Sequence, residues 1–209
     1  NDKPRFKSKK NRVQSYTTKI QGKNQQPAVC IEGNRIKIPK LGFVRFAKSR
    51  EVTGRILSIT VRRNPSGKYF ISVLTEMAID ILPKTNSAVG IDVGLKDFAI
   101  LSDGTVYKNQ KFFRSLEEKL AKEQRVLARR KEVAKKRNCP LHEAKNYQKQ
   151  KRKVALCHEK VRNQRKDFHH KLSHYLSGRE NVIVVEDLDM KAMSQCLHFG
   201  KGVMDNSYG

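Results

Sequence analysis

The sequence predicts an α/β plus all-β chain: a small antiparallel β-barrel or sandwich, then a mixed sheet into which a long antiparallel helical hairpin is inserted. Three observations predict it. Short runs of alternating apolar and polar residues, separated by turn residues, recur between Tyr16 and Glu76. Two apolar runs, Ala88–Ile91 and Val182–Val185, each end on a carboxylate, Asp92 and Glu186. Between those runs, apolar residues recur at helical spacing on a highly charged background.

Residues 4–12, Pro-Arg-Phe-Lys-Ser-Lys-Lys-Asn-Arg, are basic and polar with one aromatic. Strands are expected at Tyr16–Ile20, Arg35–Ile38, Phe43–Phe46, Arg55–Arg62 and Lys68–Glu76. The last two form the clearest hairpin, around Asn64-Pro65-Ser66-Gly67, with Leu57, Ile59 and Val61 on its apolar face. Pro83–Ser87 reads as a linker, giving expected domains of 1–85 and 86–209. Residues 88–108 then read as a meander of two or three strands with a tight turn at Asp103-Gly104.

From about Phe112 the period becomes helical, with Leu116, Leu120, Leu127 and Ala134 on one stripe. Asn138-Cys139-Pro140 interrupts it. A second helix follows, with Val154, Val161, Phe168 and Tyr175 seven apart and Leu172 and Leu176 beside them, closed by Ser177-Gly178. The hairpin is expected over about 110–178. Asn181–Val185 is then a strand, and Asp189 is placed to cap a short helix over Met190–Gln195.

The 209 residues carry 45 Lys and Arg against 20 Asp and Glu, a formal net charge of +25. Such a field favours nucleic acid over other partners. No apolar run reaches the roughly 18 residues of a membrane span and no signal-peptide pattern occurs, so the expected setting is cytoplasmic and nucleoid-associated. Cys30, Cys139, Cys157 and Cys196 are dispersed with no C-x-x-C pair, and no zinc site is expected within the chain. The charge is segregated: residues 1–87 hold 19 Lys and Arg against 5 acids and residues 108–175 hold 22 against 7, whereas 88–107 and 176–209 each sum to −2. Basic arms alternating with acidic strand segments suit chemistry on a polyanion.

Asp92 and Glu186 are therefore the candidate catalytic and metal-binding residues, with Mg2+ or Mn2+ as cofactor, since hard cations take oxygen ligands and activate water for phosphodiester hydrolysis. A strand and hairpin opening on an acid, a later helix and a further strand ending in an acid is the order of an RNase H-like fold. Strand ends aimed oppositely could bring the two acids together. The competing reading makes both ordinary strand-end residues. Asp97, Asp103, Asp187 and Asp189 read as turn, cap or solvent residues, and His169 and His170 as exposed or nucleic-acid-facing. Candidate nucleic-acid contacts are Arg5, Lys7, Lys9, Lys10, Arg12, Tyr16, Arg129, Arg130, Lys151, Arg152, Gln164, Arg165 and Lys166. Phe6, Tyr16 and Tyr69 could stack on bases or pack in a core.

Three segments carry a family resemblance: Gly90-Ile91-Asp92-Val93-Gly94-Leu95-Lys96-Asp97-Phe98-Ala99, Asn163 to Ser173 (NQRKDFHHKLS) and Ile183-Val184-Val185-Glu186-Asp187-Leu188. Together with residues 4–10, Leu41–Phe46 and Asp205–Gly209 they resemble TnpB proteins, the insertion-sequence-encoded "transposase" accessory proteins related to type V CRISPR effectors. The resemblance implies an RNA-guided DNA endonuclease with a RuvC-type (RNase H-like) domain bearing Asp92 and Glu186, preceded by a wedge-type β-barrel over 1–85. It implies a guide RNA and a double-stranded target DNA as partners. The family pattern also has a recognition segment ahead of residue 4, and a zinc ribbon and third catalytic aspartate beyond Gly209. The expectation is that this chain corresponds to the middle of such a protein, that Asp205 is a helical position and no substitute for the third acid, and that two of three carboxylates bind metal weakly and cleave poorly. Two alternatives stay open: a catalytically inactive nucleic-acid-binding protein or regulator derived from such a nuclease, and a structural helical scaffold.

Overall fold

A computed structural model describes residues 14–20, 29–78, 83–189, 192, 195 and 200–206. The chain divides into two compact units, Asn1–Ile81 and Leu82–Gly209. Among the described residues the first holds six strands: β1 (Gln14–Lys19), β2 (Ile31–Glu32), β3 (Arg35–Ile38), β4 (Gly42–Arg45), β5 (Arg55–Arg63) and β6 (Tyr69–Glu76). They pair antiparallel in two three-stranded sheets, β1-β5-β6 and β2-β3-β4. Val29, Ile36, Ile38 and Ile59 form the buried core, with Val44, Ile56, Val61, Ile71 and Val73 packed against it. At Asn64-Pro65-Ser66-Gly67 the Gly67 amide closes the turn on the Asn64 carbonyl at 2.9 Å, and Gly67 takes φ +81°.

One expectation about this hairpin fails. A β-bulge between Ile56 and Ser58 shifts the β5 register against β6. The extra residue reverses the side-chain phase on its N-terminal side, so Ile56 enters the core and Leu57 stands 36% exposed. Gly54 just before it is obligatory: at φ +81° a Cβ would lie 2.3 Å from the Glu76 carbonyl oxygen.

The second unit contains β7 (Ala88–Val93), β8 (Asp97–Leu101), β9 (Val106–Lys108), a 3₁₀ turn (Arg114–Leu116), α1 (Glu117–Lys136), α2 (Lys145–Arg179), β10 (Val182–Val185) and α3 (Gly200–Asn206). The sheet order is β10-β7-β8-β9. β7, β8 and β9 are antiparallel neighbours, while β10 returns parallel to β7. The turn at Asp103-Gly104 is built as expected, with Gly104 at φ +84° and the Asp103 carboxylate accepting the Thr105 amide at 2.9 Å.

Helices α1 and α2 pack through Leu120, Val154 and Cys157, with Phe113 and Leu127 alongside. The α1 stripe stops where Asn138 turns left-handed (φ 49°) and the Cys139 amide bonds the Ala134 carbonyl at 3.0 Å. Buried Gln150 of α2 donates to both the backbone carbonyl and the carboxylate of Glu123 on α1. Further along, α2 lies on the sheet: Val89, Leu101 and Leu176 are buried together, with Ile91, Tyr107 and Leu172 around them.

The seven-residue stripe on α2 holds only part way. Val154 and Val161 are buried, but Tyr175 is 52% exposed and Leu176 occupies the interior instead. A straight helix drifts by about 20° per heptad, and three heptads separate Val154 from Tyr175. The helix also runs past Gly178 to Arg179. Among the described residues no helix is long and apolar enough to cross a membrane.

The bulge is directly testable. Ile59→Ala removes a wholly buried side chain and should lower the stability of the first unit by about 2–5 kcal/mol in urea unfolding. Leu57→Ala should cost well under half of that; equal losses would contradict the shifted phase.

Candidate active site at the carboxyl ends of β7 and β10

The parallel ladder pairs Val182 with Ala88, Ile183 with Val89, Val184 with Gly90 and Val185 with Ile91. One step further in the same register stand Glu186 and Asp92. Neighbouring strands lie about 4.8 Å apart, and residues level in a parallel pair project to the same face. Asp92 and Glu186 each follow the last paired residue of strands that run in the same direction, so a shared site would arise from the parallel register and not from opposed strand ends. Residues 89 and 91 face α2, so Asp92 belongs to the other face, where Ile100, Val106, Val182 and Val184 are all exposed.

Both carboxylates are exposed, and among the described residues neither has a hydrogen bond or an ion pair. Two uncommitted negative groups level on adjacent strands suit a hard divalent cation. Ions of the magnesium type bind through one or two carboxylates and keep waters or substrate phosphates in their remaining positions. Among the described residues no group of three His, Cys, Asp or Glu side chains is assembled for a metal. Asp97, Asp103 and Asp189 are otherwise engaged. Asp97 pairs with Lys108 at 2.9 Å, Asp189 caps the Ala192 amide at 2.9 Å, and Asp103 sits in the β8–β9 turn.

The far end of the ladder is pinned. The Asn181 and Val182 amides donate to the Ser87 carbonyl at 3.1 and 3.2 Å, the Ser87 hydroxyl to the Arg179 carbonyl at 3.0 Å, and the Thr85 amide to the Asn181 side chain at 3.1 Å. Arg179 reaches Asp103 at 3.3 Å and Glu180 at 3.0 Å. The Thr105 amide and hydroxyl, and then Arg179, hold the Asp103 carboxyl below its ordinary range.

The NQRKDFHHKLS segment has a packing role that sequence reasoning missed. Phe168 meets Phe98 of β8 edge to face at 4.9 Å between centroids, and Phe112 at 6.1 Å. His169, expected to lack a partner, lies 5.2 Å from the Phe98 ring, near the backbone of Asn206. Burial lowers its pKa, and nearby Arg165 and His170 add to the effect. The sequence signal was position: residue 169 adjoins Phe168 on the inward stripe.

The remaining candidates are scattered. Arg129, Lys151, Arg152 and Lys166 are exposed on the hairpin, and Gln164 and Arg165 are half-buried. Arg130 donates to the Asn146 carbonyl at 2.8 Å, tying α1 to the start of α2. Tyr16 is 44% exposed on β1 and Tyr69 is 67% exposed with the Arg63 guanidinium 5.8 Å from its ring. Arg5, Phe6, Lys7, Lys9, Lys10, Arg12 and Cys196 lie outside the described residues.

Residues 71–197 match the OrfB_IS605 family, described as "Probable transposase". An Escherichia coli (strain K12) protein named "Putative RNA-guided DNA endonuclease InsQ" is 38% identical over 165 residues, 78% of this chain and 38% of that protein. A Streptomyces pristinaespiralis "Putative RNA-guided DNA endonuclease" is 30% identical over 165 residues, 79% of this chain and 39% of its own length. The chain thus spans about two fifths of the length of these curated relatives.

The half-buried imidazole of His169 gives a pH test. Its folded pKa lies below the ordinary 6.5, so as pH falls the unfolded chain takes up a proton first. Stability is full above the unfolded value and is lost as pH falls from there through the folded value. Between about pH 7 and pH 5, the unfolding midpoint of the second unit should fall more steeply in the wild type than in His169→Gln. Parallel pH profiles would contradict burial of the neutral ring.

Proposed function

Because the chain belongs to the OrfB_IS605 family, the TnpB proteins, we propose that it works in an RNA-guided, divalent-metal-dependent DNA endonuclease of a transposable element. The observation that carries this reading is the β7–β10 register, whose last pair, Val185 with Ile91, directly precedes Glu186 and Asp92; among the described residues neither carboxylate has a partner. The strand order and the crossover through a helical hairpin support an RNase H-like (RuvC) assignment for the second unit. In the first, the two antiparallel sheets on one core support a wedge-type barrel.

Asp92 and Glu186 would hold the ion, Mg2+ or Mn2+, through carboxylate oxygens. When bound, the ion supplies charge neutralisation at the phosphodiester and a water of lowered pKa. The chain's own contribution is positional. The Asn181–Ser87 and Arg179–Asp103 contacts hold the ladder in register, and the Phe98–Phe168 contact seats α2 on the sheet beneath Asp92. Exposed cations on the hairpin then contact phosphates, a charge-based and salt-sensitive mode of binding. Base pairing with a guide RNA would read the target sequence on double-stranded DNA. In this reading the basic arms hold the polyanion and the acidic strand segments act on it.

Asp92→Ala or Glu186→Ala, each in the natural chain with its guide RNA and Mg2+, should lower the rate of target cleavage by at least about a hundredfold. Target binding should stay within about threefold of wild type, because the phosphate contacts lie elsewhere. Undiminished cutting by either variant would sink the assignment. A wild type that binds guided target tightly but never cuts, with or without metal, would favour a nucleic-acid-binding regulator.

A further inference from the structure

We propose that Asp205 and Asn206 are positioning residues for the carboxylate pair, fixing the loop that follows Asp92 to the start of the basic hairpin. The inference rests on the nuclease reading above. Both side chains are buried, at 3% and 2% exposure, although they are adjacent polar residues on a seven-residue helix. Adjacent helical positions point about 100° apart, and here each reaches a different element.

The Asn206 side-chain amide donates to the Gly94 carbonyl at 2.9 Å, across 112 residues of sequence. Gly94 lies two residues beyond Asp92, in the tight β7–β8 turn where a Cβ at position 94 would stand 3.3 Å from the Asp97 carbonyl. The same helix closes on that turn again at Gly202, where an added Cβ would touch Leu95 at 3.4 Å. From the other side, Asn109 donates to the Leu95 carbonyl at 3.0 Å.

Asp205 turns to the hairpin. Its Oδ1 accepts the Phe113 amide at 2.6 Å, capping the 3₁₀ turn that leads into α1. Its Oδ2 lies 3.9 Å from the Arg114 guanidinium and accepts no hydrogen bond among the described residues. A buried carboxylate with a half-satisfied head is costly to keep. What it secures is a capped amide at the root of the basic hairpin, while its neighbour holds the Asp92 loop. His169 of α2 lies near the Asn206 backbone, so the same helix also neighbours α2. Two adjacent residues thus link the Asp92 turn, the hairpin root and the middle of α2.

Isosteric substitutions in the natural chain, loaded with guide RNA, separate positioning from folding. Asn206→Asp removes the donor to Gly94 without changing size. It should raise the Mg2+ concentration for half-maximal cleavage and slow single-turnover cleavage by about tenfold, as loss of a supporting contact around metal ligands does. Target affinity should change little; the thermal midpoint should fall, because the new carboxylate is buried, so rates are compared at a temperature where circular dichroism shows the variant fully folded. Hydrogen–deuterium exchange, which needs no activity, should quicken at residues 94–98. Asp205→Asn keeps an acceptor for the Phe113 amide and should cut nearly as wild type, whereas Asp205→Ala should quicken exchange at 112–116. Unchanged exchange at 94–98 together with unchanged Mg2+ dependence in Asn206→Asp would overturn the proposal. So would a cleavage loss that disappears once only the folded fraction of the variant is counted. Failure of the nuclease reading itself is distinct: Asp92→Ala would still cut, whatever Asn206→Asp does.

Discussion

Four backbone pairs between β10 and β7 carry most of what makes this chain interpretable. The two strands are far apart in sequence, and a parallel return requires a long crossover between them. The β8–β9 hairpin and two helices fill that crossover. A slip of one residue in the ladder would turn Glu186 to the opposite face and leave Asp92 without its neighbour. The ladder is short and β10 is an exposed edge strand, so its own side chains supply little of that precision. The register is set from outside, by Asn181, Ser87 and Thr85 at one end and by the packing of Leu176 on Val89 and Leu101 below.

In the nuclease reading the same constraint accounts for the division of charge. A sheet end that presents two neighbouring carboxylates repels a polyanion, and cations must offset that repulsion without neutralising the acids. They sit largely on α1 and α2, within a stretch, residues 108–175, that carries 22 Lys and Arg against 7 acids. Placing them on a helical hairpin keeps them on a rigid element away from the acids. In the nuclease reading the divalent ion then joins the two fields, since it is attracted by the acids and attracts the phosphate.

Much of the architecture was legible locally. Period-two runs located β3, β5 and β6, and Asn138-Cys139-Pro140 marked the break between α1 and α2. The run from Ala88 to Asp92 marked β7. What escaped the sequence was non-local or a matter of phase. Leu57 looked inward because alternation assumes an unbroken ladder, and a bulge is invisible until the partner strand is known. Tyr175 continued a seven-residue stripe that a straight helix cannot keep. The two-residue β2 is too short to show a period. Asp92 and Glu186 were readable as residues, but that their strands run parallel was not. The contacts of His169, Asp205 and Asn206 were not readable because their partners come from other elements, at Phe98, Phe113 and Gly94.

The central claim is that Asp92 and Glu186 form one cation site created by the β7–β10 register. Mn2+ binding followed by electron paramagnetic resonance tests it most directly, comparing wild type with Asp92→Asn, Glu186→Gln and the double variant. One shared site requires a non-additive cycle, in which either single substitution removes most of the affinity and the second removes little more. Additive losses, or tight Mn2+ binding that survives in the double variant, would show that the two carboxylates do not act together and would contradict the claim.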